Sequence, residues 1–125
     1  MEGNVDLTGK KLLVVEDDDM NYIYLSQIFR ITKGEIIRAK NGKQALEMAQ
    51  NTKFDLILMD IQLPDISGNE VTEKIRHFDS RIPIIAQTAS RTPDELDLTL
   101  EAGCTDILLK PFTINDFSRV MKKYI

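Results

Sequence analysis

Short runs of apolar residues alternate along the chain with longer segments in which apolar residues recur at helical spacing. Runs of this kind predict strands that are buried on both faces, as in a parallel sheet covered by helices. The segments that follow the runs predict amphipathic helices. Five strands are predicted, at residues 12–15, 35–40, 56–59, 82–86 and 105–109. The pattern therefore indicates an α/β fold built from five strand-helix units.

Polar residues that can cap a helix precede the last two predicted helices. Thr92 and Glu95 have the spacing of a capping box, with Pro93 at the first helical position. Thr113 precedes the final helix and is predicted to cap it through its hydroxyl group. Both helices are therefore expected to begin directly after these threonines.

The 125 residues are enough for one domain with its own apolar core, which we place at residues 11–125, after a leader or linker remnant at residues 1–10. The one cysteine, Cys104, excludes an internal disulfide and is read as a small buried apolar group. No apolar stretch is long enough to span a membrane, so we expect a cytoplasmic domain without membrane contact. The net charge of −4 and the lack of a basic cluster argue against direct binding of nucleic acid.

Ionisable and hydroxyl side chains follow four of the five predicted strands. Glu16 and Asp17 follow the first strand, Asp60 the third, Thr88 the fourth and Lys110 the fifth, whereas the second strand ends without a comparable side chain. The carboxyl ends of parallel strands meet at one edge of a sheet, where sites commonly form. We therefore expect these five side chains to lie close together.

Three carboxylates in a small space repel one another. At a separation of about 4 Å and an effective dielectric constant near 20, each pair costs roughly 4 kcal/mol. Either their pKa values rise, or a divalent cation lies among their oxygens, and all-oxygen ligands without histidine or cysteine favour Mg²⁺ over zinc. With Lys110 and Thr88 nearby, this chemistry suits phosphoryl transfer to Asp60 as a carboxylate nucleophile.

Four segments of the sequence resemble the receiver domains of two-component response regulators, and the resemblance covers Lys11 to Ile125. They are Leu-Leu-Val-Val-Glu16-Asp17-Asp18, Asp-Leu-Ile-Leu-Met-Asp60-Ile-Gln-Leu-Pro64 with Gly68, Ala86-Gln-Thr88-Ala89, and Asp106-Ile-Leu-Leu-Lys110-Pro111-Phe112. The resemblance implies a flavodoxin-like (βα)5 fold, a doubly wound three-layer sandwich whose parallel sheet has the strand order 2-1-3-4-5. It also implies a cis peptide bond between Lys110 and Pro111.

The same resemblance implies a metal site and a phosphorylation site. Asp17 and Asp60, with the backbone carbonyl of Gln62, are expected to bind Mg²⁺, or Mn²⁺ in its place. Glu16 is expected to act through a water molecule and to pair with Lys110. Asp60 is then the residue that becomes phosphorylated.

Further roles follow from the resemblance for residues around Asp60. Thr88 and Lys110 are expected to hold the phosphoryl oxygens. Gln62 and Ser90 stand two residues beyond Asp60 and Thr88, where the family tunes the lifetime of the phosphoryl group. Ile107 occupies the place of a switch residue that is usually tyrosine or phenylalanine. An aliphatic side chain there predicts a smaller conformational change on phosphorylation and favours a phosphorelay intermediate.

The resemblance implies that the domain is a signalling switch and not an enzyme, with only weak intrinsic autophosphorylation and autodephosphorylation activity. Its expected partners are the phosphodonor domain of a histidine kinase or a histidine phosphotransfer protein, which we expect to dock near Asn21 and Tyr22 and on the loop after Lys110. In isolation the domain is expected to be a monomer. Asn21 and the leader favour the receiver of a hybrid sensor histidine kinase, and a free-standing regulator is the alternative.

Two other classes of protein compete with this interpretation. An aspartate-dependent phosphatase of the haloacid dehalogenase type usually needs a second aspartate two residues after the nucleophile, and Gln62 stands there. A pure interaction module would bind a cation at the acidic cluster and form no acyl phosphate. His77 is read as a cation at a helix end, because no base or phosphate-binding group is predicted near it.

Overall fold

The computed structural model describes residues 5–125, and residues 1–4 of the predicted leader lie outside the described part. Five strands alternate with five helices, each strand being followed by a helix. The strands are β1 (Lys11–Val15), β2 (Glu35–Ala39), β3 (Leu56–Asp60), β4 (Ile84–Thr88) and β5 (Asp106–Leu109). The helices are α1 (Asp19–Thr32), α2 (Gly42–Asn51), α3 (Gly68–Phe78), α4 (Pro93–Glu101) and α5 (Ile114–Tyr124).

All four strand pairings are parallel, and the strands lie in the order β2-β1-β3-β4-β5. Successive residues of a strand point to opposite faces, so each face of the sheet has its own apolar layer. Val14 packs with Phe29 of α1 and Phe117 of α5 in one cluster, whereas Val15 packs with Ile75 of α3 in the other. The flavodoxin-like three-layer fold is therefore confirmed.

The helix starts agree only in part with the capping predictions. Thr113 accepts a hydrogen bond from the backbone N–H of Asp116, whose carboxylate accepts one from the N–H of Thr113, so α5 begins with a complete capping box. The capping box predicted for α4 is wrong, because the Thr92 side chain accepts no cap hydrogen bond. The Glu95 carboxylate accepts a hydrogen bond from the Ser90 hydroxyl.

Residues before β1 pack against the domain. Leu7 is buried in the cluster formed with α1 and α5, and its N–H donates to the carbonyl of Thr32 at 2.7 Å. The N–H of Val5 donates to the hydroxyl of Ser118 at 3.3 Å. Val5 and Leu7 therefore pack with the core, and the domain limit at residue 11 stays a prediction.

Two smaller features concern the rest of the chain. Cys104 is buried without a disulfide partner, and burial raises the pKa of its thiol to about 11, so the thiol stays protonated at neutral pH. Within residues 5–125 no helix is both long and apolar enough to cross a membrane.

Candidate functional site

Three carboxylates meet where β1 and β3 end. Glu16, Asp17 and Asp60 each place one oxygen so that the three atoms lie within 4.8 Å of one another. Glu16 and Asp60 are buried, and Asp17 is exposed to solvent. The cluster contains no histidine or cysteine, so its donor atoms are all oxygens, as Mg²⁺ requires.

Lys110 supplies a positive charge at the same edge of the sheet. Its ammonium nitrogen Nζ lies 3.4 Å from Oδ2 of Asp60 and 3.7 Å from Oε1 of Glu16. The backbone N–H of Lys110 donates to the carbonyl of Thr88 at 2.8 Å, which ties the end of β5 to β4. The peptide bond between Lys110 and Pro111 is cis. The ammonium group thus lies between two of the three carboxylates.

The Glu16 carboxylate is held by several hydrogen-bond donors. Its Oε1 accepts from the side-chain amides of Asn21 and Gln87, and its Oε2 accepts from the backbone N–H of Asp18. Burial, together with the negative charge of Asp60, raises the pKa of Glu16 to about 7. In the metal-free protein near neutral pH, a proton therefore partly offsets the repulsion within the cluster.

The loop after β3 folds closely over Asp60. The backbone N–H of Gln62 donates to Oδ1 of Asp60 at 3.1 Å, and the N–H of Gly68 donates to the carbonyl of Ile61 at 2.8 Å. A Cβ atom at Gly68 would lie 2.1 Å from the backbone carbonyl oxygen of Asp60. Only glycine fits this approach, which explains Gly68 in the motif.

Thr88 ends β4 and stands opposite Leu109 in the sheet. Its hydroxyl oxygen accepts the backbone N–H of Ser90 at 3.1 Å. Thr88, Ser90 and Gln62 line one groove of about 470 Å³ between the β3–α3 loop and α4. The structure therefore brings the two residues predicted to tune the phosphoryl lifetime to the same groove as the predicted phosphoryl-binding hydroxyl.

Ile107, the predicted switch residue, lies one strand away from the groove. It pairs in register with Ala86 of β4 and packs, partly buried, against the apolar cluster that includes Ile75. No described contact joins it to the acidic cluster, and its role as a switch stays a prediction.

The second strand reaches the acidic loop through Arg38, a residue within the strand that the prediction from strand ends did not include. Nε of Arg38 donates to the backbone carbonyl of Glu16 at 2.9 Å, and its NH1 lies 2.9 Å from Oδ1 of Asp19. The guanidinium carbon also lies 4.5 Å from the centre of the Tyr22 ring. Arg38 pairs with Val14 one residue before the strand tip, and its long side chain reaches the acidic loop from there.

Comparison with known proteins places these features in one family. The family model described as "Response regulator receiver domain" matches residues 12–122 of this chain. The polar-differentiation response regulator DivK of Brucella anthropi is 36% identical over 118 residues, which cover 93% of this chain and 96% of that protein.

Solved structures agree with this assignment. The receiver domain of the sensor histidine kinase PA1611 from Pseudomonas aeruginosa PAO1, with magnesium coordinated in its active site cleft, has a TM-score of 0.88, is 32% identical and covers 94% of this chain and 98% of its own. The receiver domain of the response regulator Ssk1 of Saccharomyces cerevisiae was solved in complex with the histidine phosphotransfer protein Ypd1. It has a TM-score of 0.86 and is 31% identical, and the match covers 94% of this chain and 90% of the Ssk1 chain. This chain belongs to the response regulator receiver domain family.

Proposed function

We propose that this receiver domain accepts a phosphoryl group on Asp60 in a Mg²⁺-dependent reaction and acts as a signalling switch or phosphorelay intermediate. The observation that carries the proposal is the position of the buried Asp60 carboxylate, 3.4 Å from the Lys110 ammonium and clustered with two further carboxylates. A nucleophile, a cation site and a fixed positive charge are the parts that phosphoryl transfer needs. The haloacid dehalogenase alternative is set aside by the family assignment.

The acidic cluster fits Mg²⁺ because its donors are carboxylate oxygens that otherwise repel one another. Asp17, Asp60 and the backbone carbonyl of Gln62 would hold the ion, and Glu16 would act through a water molecule. Mn²⁺ accepts the same oxygen donors. When bound, the ion neutralises charge on the phosphoryl oxygens and orients them. The magnesium in the similar PA1611 receiver supports this assignment.

The side chains of this protein then carry the transfer. A carboxylate oxygen of Asp60 attacks the phosphorus of the donor, a new P–O bond forms, and the bond from phosphorus to the donor's histidine nitrogen breaks. The electron pair of the broken bond stays on the leaving imidazole. The Lys110 ammonium, already 3.4 Å from Asp60, and the Thr88 hydroxyl would donate hydrogen bonds to the phosphoryl oxygens.

Acetyl phosphate tests this proposal without a partner protein. We expect the intact mass of the purified chain to rise by one phosphate when Mg²⁺ is present, and to stay unchanged when Mg²⁺ is replaced by a chelator. The same measurement addresses the interaction-module alternative, which binds a cation and forms no acyl phosphate. A wild-type protein that gains no phosphate from acetyl phosphate or from any phosphohistidine donor would contradict the proposed function.

The proposed phosphodonor surface lies on α1 beside the site. Met20, Ile23 and Tyr24 expose large apolar side chains there, and an apolar groove of about 450 Å³ runs from Tyr24 past Lys110 to Phe112. The Tyr24 hydroxyl donates to the carbonyl of Phe112 at 2.6 Å, which joins the helix to the loop after β5. A helical partner bearing the phosphohistidine can cover this surface, and the similarity to the Ssk1 receiver crystallised with Ypd1 supports it.

Replacing Ile23 by serine is expected to slow transfer from a histidine phosphotransfer protein by about tenfold, because a buried apolar contact with the partner is lost. Labelling by acetyl phosphate should be unchanged. Ile31→Ser is the matched control, since Ile31 is similarly exposed but lies in the last turn of the same helix. Equal losses of transfer in both variants would contradict docking at the start of α1.

Several finer roles belong to the same proposal. Gln62 and Ser90 tune the lifetime of the aspartyl phosphate from the groove they share with Thr88. Ile107 limits the conformational change on phosphorylation, since a branched aliphatic side chain has few rotamers.

Weak self-phosphorylation and self-hydrolysis accompany these roles. The domain, at residues 11–125, works as a monomer in the cytoplasm. A hybrid sensor histidine kinase is the proposed parent, supported by the similarity to the PA1611 receiver.

A further inference from the structure

A fully buried glutamine, Gln87, lies beneath the acidic cluster. Gln87 of β4 has no exposed surface. Its Nε2 donates to Oε1 of Glu16 at 3.2 Å. Its other amide atom, Oε1, is buried and has no hydrogen-bond partner among the described residues.

The alternation of side chains along the strands places Gln87 on the same face of the sheet as the site. Gln87 is two residues beyond Ile85, which belongs to the cluster between the sheet and α1 and α5. In register it stands opposite Asp60 on one side and Leu108 on the other. Four polar side chains therefore end the rows of apolar residues on this face, namely Glu16 after Val14, Asp60 after Leu58, Gln87 after Ile85 and Lys110 after Leu108.

Core stability alone does not explain an amide at this position. The other residues of the row are apolar, and an apolar side chain of similar size would fill the space without burying a polar group. Burial of the unpartnered Oε1 disfavours folding, because the atom loses its hydrogen bonds to water and gains none. The feature of Gln87 that an apolar residue cannot supply is its N–H donor toward Glu16.

We propose that Gln87 is a positioning residue for the metal site, an inference that rests on the proposed function. Gln87 and Asn21 donate to Oε1 of Glu16, while the N–H of Asp18 donates to Oε2, so both carboxylate oxygens are held. These donors fix the orientation of Glu16 toward the other two carboxylates. Without the Gln87 donor, Oε1 of Glu16 keeps only the Asn21 amide, and the less restrained carboxylate can turn toward the Lys110 ammonium, now 3.7 Å away, and draw it from Asp60.

Gln87→Met tests the inference, because methionine has nearly the same length and no N–H donor. We expect the affinity for Mg²⁺, measured by calorimetry on the unphosphorylated protein, to fall by about tenfold, as is typical when a group supporting a metal ligand is lost. The free energy of unfolding in urea without Mg²⁺ should be unchanged or higher. The ¹³C resonance of the Glu16 side-chain carboxyl should shift, whereas that of Asp55, at the other end of β3, should not.

Thr32→Val is the control for loss of a buried polar group. The Thr32 hydroxyl is buried and donates to the carbonyl of Ile28 in the last turn of α1, on the far side of the domain. This variant should change stability and leave Mg²⁺ affinity at the wild-type value. If Gln87→Met does not fold, Gln87→Leu, which matches the apolar character of the neighbouring strand positions, serves for the same measurements.

The outcomes separate this inference from the proposed function. A wild-type protein that binds no Mg²⁺ contradicts the proposed function itself. Wild-type affinity in the folded Gln87 variant, with Mg²⁺ binding intact in the wild type, overturns the positioning role alone. Loss of stability together with an unshifted Glu16 resonance also overturns it, because that result describes a structural role only.

Discussion

Replacing Asp60 by asparagine is expected to reduce phosphorylation by acetyl phosphate to less than about 1% of the wild-type level, because a neutral amide is a very poor nucleophile. The mass gain of one phosphate should therefore disappear. Without metal, the variant should melt at a higher temperature than the wild type, since the substitution removes one of three clustered negative charges while the amide oxygen can still accept the N–H of Gln62. Mass spectrometry and thermal melting check the two results.

Asp55→Asn is the matched control for this prediction. Asp55 lies just before β3, at the opposite end of the strand from Asp60, and its carboxylate accepts the backbone N–H of Lys11 at 2.8 Å. This variant should be labelled at the wild-type rate. Full Mg²⁺-dependent labelling of Asp60→Asn, or loss of labelling in Asp55→Asn, would contradict the assignment of the phosphoacceptor.

The apolar runs of the sequence were sufficient to predict the number, type and order along the chain of all ten elements. Strands buried on both faces need such runs, so the signal is strong even when the exact ends are not. For β4 the predicted strand at residues 82–86 is displaced by two residues from the observed Ile84–Thr88. The observed strand begins after Pro83, which has no N–H to donate to a neighbouring strand.

Contacts that depend on the reach of a side chain could not be predicted in the same way. Arg38 holds the acidic loop from within β2, which a survey of the residues at strand tips cannot reveal. Gln87 left a clearer signal, since a polar residue within a run otherwise suited to the core needs a hydrogen-bond partner. The capping box at Thr92 failed because Glu95 has another partner, the Ser90 hydroxyl, which spacing along the chain does not show.

The metal-free protein is expected to lose stability as the pH rises from about 5 to about 8. The ordinary pKa of a glutamate is 4.5, and burial with the charge of Asp60 raises that of Glu16 to about 7. Between these two pH values the native state binds more protons than the unfolded chain. The contribution of the Glu16 proton to the free energy of unfolding is therefore fully present below pH 4.5 and is lost as the pH passes 7. We expect a decrease in the free energy of unfolding on the order of 2 kcal/mol, measured by urea denaturation.

The other carboxylates with shifted pKa values do not account for a decrease in the free energy of unfolding between pH 5 and pH 8. Hydrogen bonds lower the pKa values of Asp6, Asp65 and Asp116 below 3.8, so their contributions are already present at pH 5 and are lost only in more acid solution. Glu16→Gln should therefore remove most of the decrease between pH 5 and pH 8. If the free energy of unfolding of this variant falls as steeply with pH as that of the wild type, the proton that is lost in this range is bound by a group other than Glu16.

Mg²⁺ should weaken the decrease in stability with rising pH, which connects the stability of the fold to the chemistry of the site. The ion binds the ionised carboxylates of the native cluster and competes with the proton on Glu16, so its affinity rises with pH. Because binding stabilises the native state by RT ln(1 + [Mg²⁺]/Kd), the rise in melting temperature caused by a fixed millimolar-range concentration should be small at pH 5.5 and several degrees larger at pH 8. A rise in melting temperature that is the same at both pH values would contradict the competition between Mg²⁺ and the proton. It would not bear on Asp60 as the phosphoacceptor, which the Asp60→Asn substitution tests separately.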